Sequence, residues 1–281
     1  MKRLWETNQE PKLIYVKVTS KKPQDLILSV ADAEKPETFY SKQIFRLHGT
    51  EVFEISLPIT PKKAFFEITA LADKKAQAVM PWFAPGEDST IEYSIKQVPF
   101  LKNTKCDSRY ANNQQLREFL NFTGWFSENA SVLDAGKNVA PYYSAGGQFK
   151  VSYLPYIMDD LEYLVVDGQV VKNPNFGKIN PTSYRVHSTT KEMELAKNFV
   201  IDYSIPQRMV LFTHEYAHGY ENQNPSDEFE ADYHSVNICR GCLGFGKREL
   251  GTAYAKVFMR YPSTENAQRI IAIKKQLENM P

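Results

Sequence analysis

The sequence predicts an α+β chain: a β-sandwich-like module over residues 1–100, then a mixed domain over residues 101–281 built around a metal-binding helical hairpin. Three observations carry this. The first hundred residues hold six short runs rich in β-branched and aromatic residues, separated by turn clusters. Helical periodicity dominates from Asn113 onward. Between His214 and Asp232 the spacing of histidines and carboxylates makes sense only as a metal site.

The six runs are Lys12 to Val18, Asp25 to Val30, Thr38 to Leu47, Val52 to Leu57, Ala64 to Leu71 and Thr90 to Gln97. Turn clusters such as Lys21, Lys22, Pro23 and Ala84, Pro85, Gly86 divide them. In the last run Ile91, Tyr93 and Ile95 share one face, and Glu92, Ser94 and Lys96 the other. Regular strands of this length imply a sandwich or barrel-like module. It holds no catalytic cluster, and His48 stands alone in it. Trp82 and Phe83, before Pro85, form a candidate tip for docking a protein partner.

A helix is expected over Asn113 to Trp125, where Leu116, Phe119 and Leu120 recur at helical spacing. A loop-rich stretch with Gly136, Pro141, Gly146 and Gly147 follows. Phe149 to Ile157 and Tyr163 to Val171 read as strands of a central sheet, the second containing a turn at Gly168. Near the C-terminus Leu250, Tyr254, Val257, Phe258 and Tyr261 mark one helix, and Ala267, Ile270, Ile271 and Leu277 another.

Ser204 and Pro206 supply a cap and a first-turn proline for a helix whose apolar run, Met209 to Ala217, leads into His214, Glu215 and His218. Residues four apart share a helix face, so both histidines can aim at one zinc while Glu215 reaches a water beside it. Asn224 to Asp227 starts a second helix ending near Gly241, and the two form an antiparallel hairpin. That sets His218 level with Glu228, the third ligand, and His214 level with Asp232, which accepts the free imidazole N–H. Glu230 points about 200 degrees away from Glu228 and is rejected as a ligand.

These residues resemble the gluzincin group of zinc metallopeptidases, in which HExxH is joined by a Glu ligand from an ExxxD segment, here Glu228 to Asp232. Lys191 to Leu195 is similar to the short strand that runs along the substrate cleft in such enzymes. The resemblance covers roughly residues 180–245, and it implies a zincin-like domain, a bound Zn2+, and hydrolysis of a protein or peptide substrate with Glu215 as the general base. Nine residues separate His218 from Glu228, which is shorter than in most gluzincins and looks like the compact zincin domains of phages and mobile elements. Tyr216, Tyr220, Tyr233, His234, Arg185 and His187 are the candidates for steadying an oxyanion. The competing expectation is an assembly protein, such as a phage particle component, that keeps a zincin fold and docks a partner through its β module.

Composition narrows the classes. A formal charge of +1 gives no electrostatic reason to expect nucleic acid or an anionic membrane. No run approaches the length of a spanning helix, and the N-terminus lacks the apolar stretch of a secretion signal, so a cytosolic origin is expected. Three cysteines make no disulfide framework. Helical phase puts Cys239 and Cys242 on the face packed against the first helix, about 16 Å or more along the axis from Glu228, so they read as small buried thiols outside the zinc site.

Overall fold

The computed structural model describes residues 2–71, 91–100, 106–139 and 149–281. It has the expected α+β class and order, an antiparallel sheet first and a helical region after it. The candidate tip at Trp82 and Phe83 and the glycines Gly146 and Gly147 lie outside the described residues.

The N-terminal sheet contains β1 (Lys2–Glu6), β2 (Lys12–Asp32), β3 (Phe39–Leu57), β4 (Lys63–Ala70) and β5 (Ile91–Pro99). β2 and β3 each join two runs that the sequence separates. The Lys21, Lys22, Pro23 cluster is not a reversal but an irregularity in a continuous strand, where the register shifts between Ser20 and Gln24. Ser20 Oγ donates to the carbonyl of Lys22, Gln24 donates to Ser20, and Gly49 stands opposite at φ +87°. The strand therefore bends. β5 pairs with the first half of β2 and β4 with the second, while β1 adds beyond β4.

The bend turns the two halves toward each other, with the rings of Phe66 on β4 and Tyr93 on β5 6.0 Å apart. Instead of two separate sheets, one sheet folds on itself. Alternate residues of each strand, such as Ile14, Val16 and Val18, then Leu26, Leu28 and Val30, fill the interior.

The described middle begins with α1 (Ser108–Ala111) and α2 (Gln114–Asn129). Asn113 caps α2 by accepting from the Leu116 amide, and Leu116, Phe119, Phe122 and Phe126 form its buried stripe. Then come β6 (Lys137–Asn138), β7 (Val151–Leu154), β8 (Ile157–Met158), β9 (Tyr163–Val166), β10 (Gln169–Lys172), β11 (Ile179–Asn180), β12 (Tyr184–Val186) and β13 (Met193–Ala196). A four-stranded sheet runs β12-β13-β7-β6, with β13 parallel to β7.

Two expectations need correction here. The run Tyr163 to Val171 is no strand of this sheet: β9 and β10 pair only with each other, around Asp167 and Gly168, both at positive φ. The strand expected at Lys191 to Leu195 is β13, one position in from the cleft, because Lys191 at φ 60° completes a tight turn and the ladder starts only at Met193. The strand beside the cleft is β12.

The helical region holds α3 (Lys197–Val200), α4 (Ile205–Tyr220), α5 (Glu228–Val236), α6 (Lys247–Met259) and α7 (Thr264–Asn279). Ser204 and Gln207 form a capping box at the start of α4, with Pro206 in its first turn, as the sequence predicts. From Ile205 to Ala217 α4 is buried nearly all round, Leu211 alone being half-buried. Ile205, Met209 and Val210 join the core of the N-terminal sheet, and Phe212 and Tyr216 join an aromatic core with Phe119, Phe126, Tyr153 and Tyr184. Arg208, fully buried, donates to the carbonyls of Val200, Ile201 and Ser127. It thereby closes the ends of α3 and α2, whose last carbonyls lack partners in their own helices.

The helical run ends within two residues of Gly241, as expected, but α5 itself stops at Val236. It passes into a π-helical turn, Asn237–Leu243, which Gly244 ends in the left-handed conformation. This wider turn overturns the cysteine reading. Cys239 is a buried free thiol against α4, 3.3 Å from Thr213, but Cys242 is rotated away and bonded to Cys106. The disulfide spans 136 residues of sequence and ties the region before α1 to the end of the hairpin that α4 and α5 form. Closing a loop of that length stabilises by about 4–5 kcal/mol in the chain-entropy account.

α6 lies against β3, where Arg248 pairs with Glu51 and covers the Phe53 ring. Next to it Glu249 is buried beside Ser41 and Gln43, and burial pushes its carboxyl up to about 8. The folded chain thus holds a proton that the unfolded chain releases above its ordinary value of 4.5. Stability should fall as pH rises through that window, by up to about 1.4 kcal/mol per pH unit, and level off above it. Glu249→Gln should flatten the slope and melt above wild type at pH 8, which urea or thermal melts across the window will measure; parallel slopes for the two proteins would remove Glu249 as the cause.

Candidate metal centre

The last two turns of α4 carry His214, Glu215 and His218, and α5 carries Glu228 at its start and Asp232 one turn on. Their antiparallel pairing brings His214 Nε2, His218 Nε2 and the Glu228 carboxylate into one cluster whose ligand atoms all lie within 4.8 Å of one another. The two Nε2 atoms are 3.0 Å apart, and each faces Glu228, at 3.2 Å from His214 and 3.5 Å from His218.

Each histidine is oriented through its other nitrogen. His214 Nδ1 lies 2.9 Å from Asp232, and His218 Nδ1 lies 2.8 Å from the carbonyl of Pro225. Both partners only accept, so in the neutral rings both Nδ1 atoms carry the hydrogen and both Nε2 lone pairs are bare. Two bare lone pairs and a carboxylate aimed at one point repel one another, and either a proton on His214 or a metal cation resolves that. Ligands at about 2.0–2.2 Å around a tetrahedral zinc stand about 3.3–3.5 Å from each other, close to the separations found here. The donor set fits zinc.

Burial alone would lower the pKa of His214, but its hydrogen bonds to Asp232 and Glu228 outweigh this and push it up to about 10. Burial opposes ionisation of Glu228 as well, yet both histidines and Arg269 hold its carboxyl far below the usual range. Glu215 is different. Its carboxyl is pushed up, first by burial and then by Glu228, while His214, His218 and the backbone N–H of Val186 on β12 pull it down. It lines the same cleft as the cluster and lies outside the three-ligand group.

The cleft has a volume of about 590 Å³, and β12 forms one wall with Pro181 to Val186. The opposite wall comes from Tyr254, Val257, Phe258 and Arg269 of α6 and α7. Of the six residues expected near an oxyanion, Arg185 alone is in the cleft, tied to Glu194 at 2.5 Å and Asp160 at 3.1 Å. Tyr216 and Tyr220 stack together in and beside the aromatic core. Tyr233 borders a groove between α5 and α7, His234 lies 2.7 Å from the Tyr110 hydroxyl, and His187 accepts from the amides of Thr189 and Thr190. Glu230 accepts from the amides of Gln223 and Asn224 and so closes the turn of the hairpin, apart from the ligand cluster.

Sequence reasoning missed Arg269. Its Nε and Nη2 donate to both oxygens of Asp232 at 2.7 and 2.9 Å, its Nη1 reaches Glu228 at 2.8 Å, and its guanidinium lies over the Phe258 ring. A signal existed. Arg269, Ile273 and Leu277 form the buried stripe of α7, four residues apart, whereas Ile271, expected inside, is exposed. An arginine in phase with an apolar stripe needs a buried acid, and Asp232 is that acid.

No family model, no curated protein and no solved structure matches this chain.

About one zinc per chain is expected after reconstitution, with His214→Ala and His218→Ala losing most of it. Competition with a chelator should rank three further variants. Glu228→Ala should bind zinc far more weakly, Asp232→Ala about 10- to 100-fold more weakly because His214 loses its support, and Glu230→Ala nearly as wild type. A reversed order of Glu228 and Glu230, or no zinc on reconstitution, would remove the site. With the pKa of His214 pushed up by Asp232 and Glu228, zinc has to displace a proton there, so uptake at neutral pH should release about one proton and apparent affinity should rise with pH. Calorimetry in buffers of different ionisation enthalpy will count that proton.

Proposed function

We propose that the chain is a zinc-dependent hydrolase of peptide bonds, of gluzincin type, acting on a protein or peptide substrate. The observation that supports it most is Glu215: a buried carboxylate one residue beyond His214, steadied by the Val186 amide and facing the cleft, outside the ligand cluster. A purely structural zinc needs no such base.

His214, His218 and Glu228 would hold the zinc, which when bound would supply Lewis acidity to a water and to the scissile carbonyl. The chain's own residues supply the rest. Glu215 accepts the proton of the attacking water and returns it to the leaving amine, a shuttle that its raised pKa favours. Asp232 fixes the His214 tautomer and orientation, and the Pro225 carbonyl does the same for His218. Arg269 holds Asp232 and Glu228 in place and offsets their charge.

The substrate strand would lie along β12. Among the described residues that strand pairs only with β13, so its other edge offers backbone groups to an extended peptide. Arg185, on the same strand, lies in the cleft wall.

The assembly reading differs in one measurable respect. Glu215→Gln should keep zinc, fold and melting temperature while hydrolysis of a mixed library of internally quenched peptides falls by about 10²-fold or more, the usual yield of acid–base catalysis. Equal cleavage by variant and wild type would refute the assigned base. Full zinc content in wild type with no cleavage of any library member would favour a structural or assembly role, such as a component of a phage particle. Among the described residues no helix is long and apolar enough to cross a membrane.

A further inference from the structure

Residues 156–179, between β8 and β11, contain the β9–β10 hairpin. They make up less than a tenth of the chain but carry ten of the twenty large hydrophobic side chains exposed among the described residues. Single exposed apolar residues are ordinary on any surface, whereas a concentration of this kind is not. On one face of the hairpin Val165 and Val170 sit directly opposite each other, 73% and 72% exposed, next to Tyr163 at 57%. Leu161, Phe176 and Ile179 extend the apolar surface at its base.

The hairpin's setting is firm. Asn173, buried, donates to Asp159 and to the Leu161 carbonyl, and Asp160 pairs with Arg185 on β12. The base is therefore fixed to the domain while the two strands project from it. A two-stranded ribbon with both edges and an apolar face in water is marginal by itself.

We propose that this hairpin is the interface of a homodimer, its apolar face covered by the same face of a second copy of the chain. The area is the first argument. Tyr163, Val165 and Val170 on this face, with Leu161, Phe176 and Ile179 at its base, present roughly 500 Å² at roughly 80 Å² each, so two copies bury about the 1,000 Å² that a specific interface needs. The second is symmetry, because two antiparallel hairpins related by a two-fold axis cover each other's Val165 and Val170 with no other element required. The third is charge. Residues 156–179 carry Asp159, Asp160, Glu162 and Asp167 against Lys172 and Lys178, a net negative set, whereas an anionic lipid surface selects lysine and arginine. This inference is independent of the hydrolase reading.

Sedimentation velocity on the full chain, over a concentration series into the tens of micromolar, should show a species of twice the 32.3 kDa chain mass. Val165→Lys with Val170→Lys should return it to monomer, weakening self-association by about 100-fold or more with an unchanged circular dichroism spectrum, while Val132→Lys, exposed elsewhere, should leave the dimer intact. If the double variant fails to fold, hydrogen exchange on wild type decides the matter, since amides 163–172 should gain protection as concentration rises. A wild-type chain that stays monomeric overturns the proposal, as does a dimer that survives the double substitution, or hairpin exchange that ignores concentration. A monomer that floats with phosphatidylcholine vesicles would assign the face to lipid and overturn it too.

Discussion

The site depends on the burial of α4 between two cores. A helix that is apolar on one side can rock on its support, but α4 packs Met209 and Val210 into the folded sheet and Phe212 and Tyr216 into the aromatic cluster. Rotation about its axis would unpack both cores, since Met209 and Tyr216, seven residues apart, share one face. His214, Glu215 and His218 ride on the last two turns of this helix, so their directions are set by hydrophobic packing well away from them. The N-terminal sheet accordingly shares a continuous hydrophobic core with the metal-site helices, and Ser56 on β3 donates to the carbonyl of Gly244 just past the hairpin.

The second constraint is electrostatic. Glu228 and Asp232 stand on one helix face with Glu215 opposite, and three carboxylates this close raise one another's pKa unless their charge is compensated. Arg269 supplies part of that compensation. Its fork takes both oxygens of Asp232 in the bidentate geometry that arginine offers and lysine does not, and its third contact reaches Glu228. Phe258 beneath the guanidinium keeps the plane of that fork fixed. A chain of contacts thus runs from α7 through Asp232 on α5 to His214 on α4, linking three helices at one imidazole.

The convergence of these side chains was legible in the sequence because regular helix obeys a fixed phase: ten residues of turn and helix put Glu228 against His218, and four more put Asp232 against His214. Where the backbone departs from that phase, legibility ends. The π turn after Val236 is not encoded by any spacing, so the partner of Cys106 was hidden, and with it a bond that persists in oxidising surroundings. The Lys21, Lys22, Pro23 cluster looks like a reversal because its residues suit turns and bulges alike; only the pairing with Gly49 across the sheet decides between them. The class and order of the fold survived these errors, since they rest on periodicity rather than on connections.

The short connection between His218 and Glu228 follows from how its turn is closed. Asn222 donates to the carbonyl of Asp227, Asp227 caps α5 by accepting from the Glu230 amide, and Glu230 returns across the turn to the amides of Gln223 and Asn224. Few backbone groups in the turn are left for water. A turn tied in this way leaves the Pro225 carbonyl pointing inward, where it meets His218 Nδ1. A longer connection would free that carbonyl, and His218 would then need a side-chain acceptor of its own, as His214 has in Asp232. The compact spacing therefore replaces one supporting carboxylate with a backbone oxygen. It also keeps a fourth acid out of a cluster that has a single arginine against Glu228 and Asp232.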